Sequence, residues 1–182
     1  MMITNDPDKE TGGMNLDILA SEYSKLGLIE ILGPVGVAPF THQMEKEPTD
    51  AFVRGVMIRA GRAGFYYWLK QAGDTLESAD PDFNLSPVRK KIATGLAHFC
   101  GILTARKRYN SLFRNHEESW ELELSGNEGS QVPPLECDFI SGFLQEFAGW
   151  AGMGRLYQVR VKAGAGNGQD NCSIIIKKQP VE

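Results

Sequence analysis

Residues 137–178 decide the fold of this chain: CDFISGFLQEFAGWAG (137–152), YQVRVKA (157–163), the loop GAGNGQDN (164–171) and CSIIIKK (172–178). In the first stretch Phe139, Phe143, Phe147 and Trp150 recur every three or four residues, the spacing of one helix face. The next stretch is rich in valine and the last in isoleucine, as strands are, and glycine and asparagine between them mark a turn. A helix running into an antiparallel strand pair is therefore expected at the C-terminal end. Upstream, SLFRNH (111–116) and SWELELS (119–125) supply a second strand pair. Trp120, Leu122 and Leu124 alternate there with Glu121 and Glu123, so one face is buried and the other wet.

The rest of the chain reads as helices. Residues 16–32 place Leu16, Leu19, Tyr23 and Leu26 at helical spacing, and Gly33, Pro34 and Pro39 then make 33–48 a loop. A second helix is expected from Ala51 to about Leu76, capped by Thr49 or Asp50. Gly61 and Gly64 inside it each cost about 1 kcal/mol relative to alanine. A bare backbone there admits either a neighbouring helix or a ligand. A third helix opens with Ser86 and Pro87 and runs to about Lys107, with Val88, Ile92, Leu96, Phe99 and Leu103 as its main apolar stripe. Helices first and antiparallel strands mostly later give an α+β fold, with the helices on one side of a small sheet.

Bulk properties narrow the function. The chain has 182 residues, 42% of them hydrophobic and 23% charged, which suits one domain. The reading is a disordered tail over 1–13 and a single domain over 14–182. Leu28 to Phe40 is too short to span a bilayer and contains Glu30, so no membrane span is expected. Three cysteines without a CxxC point to a reducing, cytoplasmic setting. Seven basic and no acidic residues lie between Ser86 and His116, and eight acidic and no basic residues between Glu117 and Gly154. Such blocks could pair within the fold, pair across a dimer or receive an anionic partner. The bases form no stripe suited to nucleic acid.

Catalytic signatures are missing from the sequence. The run Gly164–Gly168 precedes a strand rather than a helix, so it is a hairpin turn and not a phosphate cradle. His42, His98 and His116 have no partners at metal-ligand spacing, and there is no HExxH, GxSxG or P-loop. Cys100 reads as a packed thiol. Phe65, Tyr66, Tyr67, Trp68, Phe99, Trp120 and Trp150 are candidates for core or for the lining of an apolar pocket.

The stretches AGRAGFYYWL (60–69), CDFISGFLQEF (137–147) and YQVRVKAGAGNGQDNCSIII (157–176), in this helix order, resemble the 4-vinyl reductase domain family. That family is related in fold to small subunits of the TRAPP tethering complex and to aromatic-sensing domains of bacterial regulators. The resemblance implies a homodimeric domain that holds a small apolar or aromatic molecule without catalysis. It also implies two alternatives: a TRAPP-like assembly module, or a factor in tetrapyrrole metabolism. Gly61 and Gly64 would make room for the ligand, Phe65, Trp68 and Phe99 would line its site, and His98 or Trp120 would orient it. Many relatives bind zinc through cysteines corresponding to Cys137 and Cys172. The intervening family positions fall near Val161 and Gly164, which cannot ligate, so neither zinc nor any other cofactor is expected.

Overall fold

The computed structural model describes Lys25 and residues 50–105, 109–126, 132–163 and 171–181. The expected tail, the helix over 16–32 apart from helical Lys25, the loop 33–48 and the glycine-rich turn lie outside these residues. A long helix, α1, spans Asp50–Ala72, and a short one, α2, spans Asp74–Ala79. They correspond to the single helix expected over 51–76. The helix is interrupted at Gly73, and Thr75 Oγ1 donates to the Ala72 carbonyl at 2.6 Å across the break. A 3-10 turn over Phe83–Leu85 leads to α3, Val88–Ala105, which follows Pro87. Strands β1, Tyr109–Asn115, and β2, Ser119–Gly126, come next, then helix α4, Pro134–Ala151. The chain closes with β3, Tyr157–Ala163, and β4, Cys172–Pro180.

The strands form one four-stranded antiparallel sheet in the order β1-β2-β4-β3. Its alternation follows the sequence pattern. Trp120, Leu122, Leu124, Ile174 and Ile176 are buried toward the helices. The other face is polar: Glu121 accepts hydrogen bonds from Ser173 Oγ at 2.6 Å and pairs with His116 Nε2 at 2.8 Å. Arg114 bridges to Glu121 at 3.8 Å and to Glu123. The basic and acidic blocks therefore pair in part within the sheet. Other acidic residues are taken by α1: Arg54 makes a bidentate pair with buried Asp138 at 2.9 and 3.1 Å, and Arg62 meets Glu146 at 2.8 Å. The fold class is α+β, with helices packed against one face of the sheet.

Helix α4 is the centre of the molecule. It begins earlier than the sequence pattern suggests because Pro134 suits a first helical turn. Its end is set by Met153 at φ 60° and Gly154 at φ 83°, with Gly154 N–H donating to the Gly149 carbonyl at 2.8 Å. This is a left-handed helix stop of the Schellman type, in which a methionine occupies a position that usually favours glycine. Helix α1 crosses α4 at two glycines. A Cβ on Gly61 would lie 2.9 Å from the Phe139 carbonyl carbon and from the Phe143 nitrogen, and a Cβ on Gly142 would lie 2.8 Å from the Ile58 carbonyl carbon. The two backbones touch, which only glycine on both sides permits.

Candidate functional site

Five rings gather where α1, α3 and α4 meet. Phe65 and Trp68 come from α1, Phe99 from α3, and Phe143 and Phe147 from α4. All five are nearly or fully buried. Trp68 meets Phe99 with ring centroids 4.8 Å apart, and Phe99 meets Phe147 at 5.0 Å and Phe143 at 5.1 Å. Phe65 reaches Phe143 at 5.6 Å and Phe147 at 6.1 Å. All of these contacts are edge-to-face, the arrangement aromatic quadrupoles favour. Sequence spacing makes the cluster possible: Phe65 and Trp68 lie three apart on one helix, and Phe143 and Phe147 four apart on another. Gly95 on α3 completes it, because a Cβ there would lie 2.7 Å from Phe147 Cε2 and would displace that ring.

One polar group stands at the rim. His98, next to Phe99 on α3, has its ring 6.2 Å from the Phe99 ring and its Nε2 3.1 Å from Thr75 Oγ1 of α2. Partial burial of the imidazole lowers its pKa below the ordinary value of 6.5. The ring is therefore mainly neutral at pH 7, with one nitrogen that donates and one that accepts. A dry aromatic cluster beside a neutral hydrogen-bonding handle can recognise a flat apolar molecule with one polar substituent. On the outer side of the same helices, Tyr66 donates to Glu146 at 2.8 Å, and this bond raises the phenol's pKa.

The structure brings Phe65, Trp68, Phe99 and His98 together. Gly61 stands instead at the α1–α4 crossing, against the α4 backbone. Gly64 is a buried residue of α1. Trp120 lies on β2, paired with the Tyr157 ring at 6.3 Å and with the Lys178 ammonium 5.6 Å from its centroid. Cys137 and Cys172 are joined by a disulfide across a Cα–Cα distance of 6.2 Å. Phe143, Phe147 and Thr75 were not singled out from the sequence. The first two do lie on the phenylalanine line of the last helix, and that line could have named them.

The sequence matches no protein-family profile and no curated protein. Among solved structures, the chain is similar to an Fe(II) unliganded H-NOX protein mutant from K. algicida, with 12% identity, a TM-score of 0.49 and coverage of 90% of this chain and 92% of that one. It is also similar to an H-NOX domain from Shewanella oneidensis in the Fe(II)CO ligation state, with 12% identity, a TM-score of 0.47 and coverage of 90% and 97%. The expectation that the chain takes no cofactor is not upheld: both neighbours are described in Fe(II) forms, which is said of those proteins and not of this chain. The sequence lacks dinucleotide motifs and protein ligands at metal-binding spacing. An iron group that brings its own ring ligands needs one axial side chain and leaves no spaced motif. Among the described residues, no cluster of three or more His, Cys, Asp or Glu could hold a bare ion. His98 offers an axial donor of the right type, but Thr75 engages its Nε2 and the neighbouring rings are in mutual contact. In this arrangement the described residues do not fit a planar iron group.

Proposed function

We propose that this chain is a small-molecule binding domain of the sensing type, with an apolar or aromatic ligand received at the α1–α3–α4 ring cluster. The observation that carries the reading is the juxtaposition of five edge-to-face rings with the single neutral imidazole of His98. A ligand would take the place of ring–ring contacts by the same quadrupole interactions, and His98 would fix its polar end. The resemblance to the 4-vinyl reductase domain family supports this reading, since its relatives include aromatic-sensing domains. We take the acting form to be a homodimer.

The experiment is a titration of the full chain with an aromatic hydrocarbon and with its hydroxylated analogue, read by tryptophan emission. Both should bind, and His98→Ala should weaken the hydroxylated compound selectively. Equal binding of both compounds by wild type and variant would remove His98 from the site, and no binding by either would remove the site.

An assembly module of the TRAPP type is the second reading. It draws on large apolar side chains left in water, with Leu85 87%, Met153 82% and Leu156 65% exposed. It predicts association with a protein partner and no uptake of either aromatic probe.

A further inference from the structure

We propose that Cys137 and Cys172 form a reversible thiol–disulfide site, exchanging with low-molecular-weight thiols and their disulfides, that locks or frees the first turn of α4. The bond joins a helix to a strand across a sequence separation of 35 residues. It ties the start of the central helix to the sheet.

The two partners sit where local opening is easiest. Cys172 is the first residue of β4 and pairs with Leu124 on one side and Ala163 on the other, at the end of both ladders. The sulfurs are buried at 4% and 2% exposure, so a reagent reaches them only when that end frays. Fraying at a strand end needs far less free energy than global unfolding. Cys137 lies in the first turn of α4, between buried Glu136 and Asp138. Asp138 stays fixed to α1 by the bidentate Arg54 pair. That anchor limits how far the freed turn can move, so the two thiols remain within reach for re-closure. Cys100, the remaining cysteine, is engaged elsewhere, with its thiol 3.3 Å from Ser111 Oγ.

The chemistry balances with glutathione as the exchanging couple. Cys172 thiolate attacks oxidised glutathione, forming a mixed disulfide and releasing one glutathione thiolate. Cys137 thiolate then attacks the Cys172 sulfur, closing the protein bridge and releasing the second glutathione. One disulfide is broken and one formed, and the two protein thiols lose the electrons that the glutathione disulfide gains. Opening is the reverse. Because α4 carries Phe139, Phe143 and Phe147, the state of the bridge sets how firmly their helix is held at its start.

The test uses the full chain, equilibrated across mixtures of reduced and oxidised glutathione. Samples are quenched in acid, unfolded, alkylated and read by intact mass and peptide mapping. The expected result is one reversible two-thiol transition confined to Cys137 and Cys172, with Cys100 alkylated at every poise. Amide protection over residues 134–140 should be lost on reduction while that of α3 is retained. Cys172→Ser should form no internal bridge at any poise, with Cys137 either alkylated or carrying one glutathione, and if that variant fails to fold the wild-type titration decides alone. A bridge that stays closed in reduced glutathione until the protein is denatured would make it a permanent staple and overturn the proposal. Three free thiols at every poise, or retention of one zinc ion that masks both thiols, would overturn it equally.

Discussion

Replacing Gly61 with alanine tests the helix crossing on which the whole architecture rests. The added Cβ would lie 2.9 Å from two α4 backbone atoms, Phe139 C and Phe143 N, and nearer still to the Phe139 oxygen. Ordinary contact begins near 3.4 Å, and the Phe139 oxygen, the nearest atom, requires the helices to separate by well over the ~0.5 Å that the other two atoms need. The obstacles are backbone atoms, which cannot rotate aside, so the cost belongs at the upper end of the ~1–3 kcal/mol typical of overpacking. Against this, alanine is a better helix former by about 1 kcal/mol. The net destabilisation expected is about 2 kcal/mol, or a fall of roughly 4–8 °C in Tm for a chain of this size. The controls are Gly55→Ala on α1 and Gly101→Ala on α3, where a Cβ meets nothing within 4 Å. Those variants should gain up to about 1 kcal/mol from helix propensity alone. Thermal and urea melts followed by circular dichroism give all three values. A Gly61→Ala chain that melts with the controls would show that α1 and α4 do not cross there.

Asp138→Asn should cost about 2 kcal/mol in a urea melt, because the nearly fully buried group loses its charge and one of its two acceptors for Arg54. Glu146→Gln, at the more exposed Arg62 pair, should cost under about 1 kcal/mol, and equal losses would refute the distinction. Reducing the Cys137–Cys172 bridge removes the constraint on a 35-residue separation, worth about 3.8 kcal/mol by loop entropy, so Tm should fall on adding reductant and not fall further in Cys137→Ser. Ser173 and then His116 hydrogen-bond Glu121 and lower its pKa below 4.5, so the stability this carboxylate adds is present above that value and lost as pH falls through the folded-state pKa. Burial lowers the His98 pKa, so the unfolded chain takes up the proton first and stability falls as pH drops below 6.5; His98→Gln should flatten that part of the profile.

Most of the fold was legible because local periodicity and tertiary burial agree. The alternation of Trp120, Leu122 and Leu124 with glutamates placed β2 and gave its inward face correctly. The phenylalanine line from Phe139 to Phe147 gave the buried side of α4, and Pro87 marked the start of α3. The single helix expected over 51–76 missed the break at Gly73, across which Thr75 Oγ1 hydrogen-bonds the Ala72 carbonyl. The end of α4 at Gly152 was read correctly from the sequence, whereas the left-handed turn at Met153 that follows it carries no sequence signal. For the site, Phe65, Trp68, Phe99 and His98 were named from the sequence and do come together. Gly61 has a different use: its bare backbone serves the α4 crossing. Phe143 and Phe147 were read only as part of an apolar helix face, since a lining ring and a core ring have the same spacing. Spacing does not encode the Cys137–Cys172 contact, but the family resemblance, which matches both cysteines to one zinc site, implied that they lie close as a packed or redox-sensitive pair, and they do.

Native mass spectrometry of the purified full chain, with an acid-denatured sample and an absorption spectrum beside it, tests the small-molecule reading most directly. The account predicts a folded species heavier than the chain by one organic adduct per protomer, released on denaturation, or its stoichiometric appearance when an aromatic probe is added. A bare chain that takes up no probe would contradict it, and a visible band carried by an iron group would identify a ligand other than the one proposed.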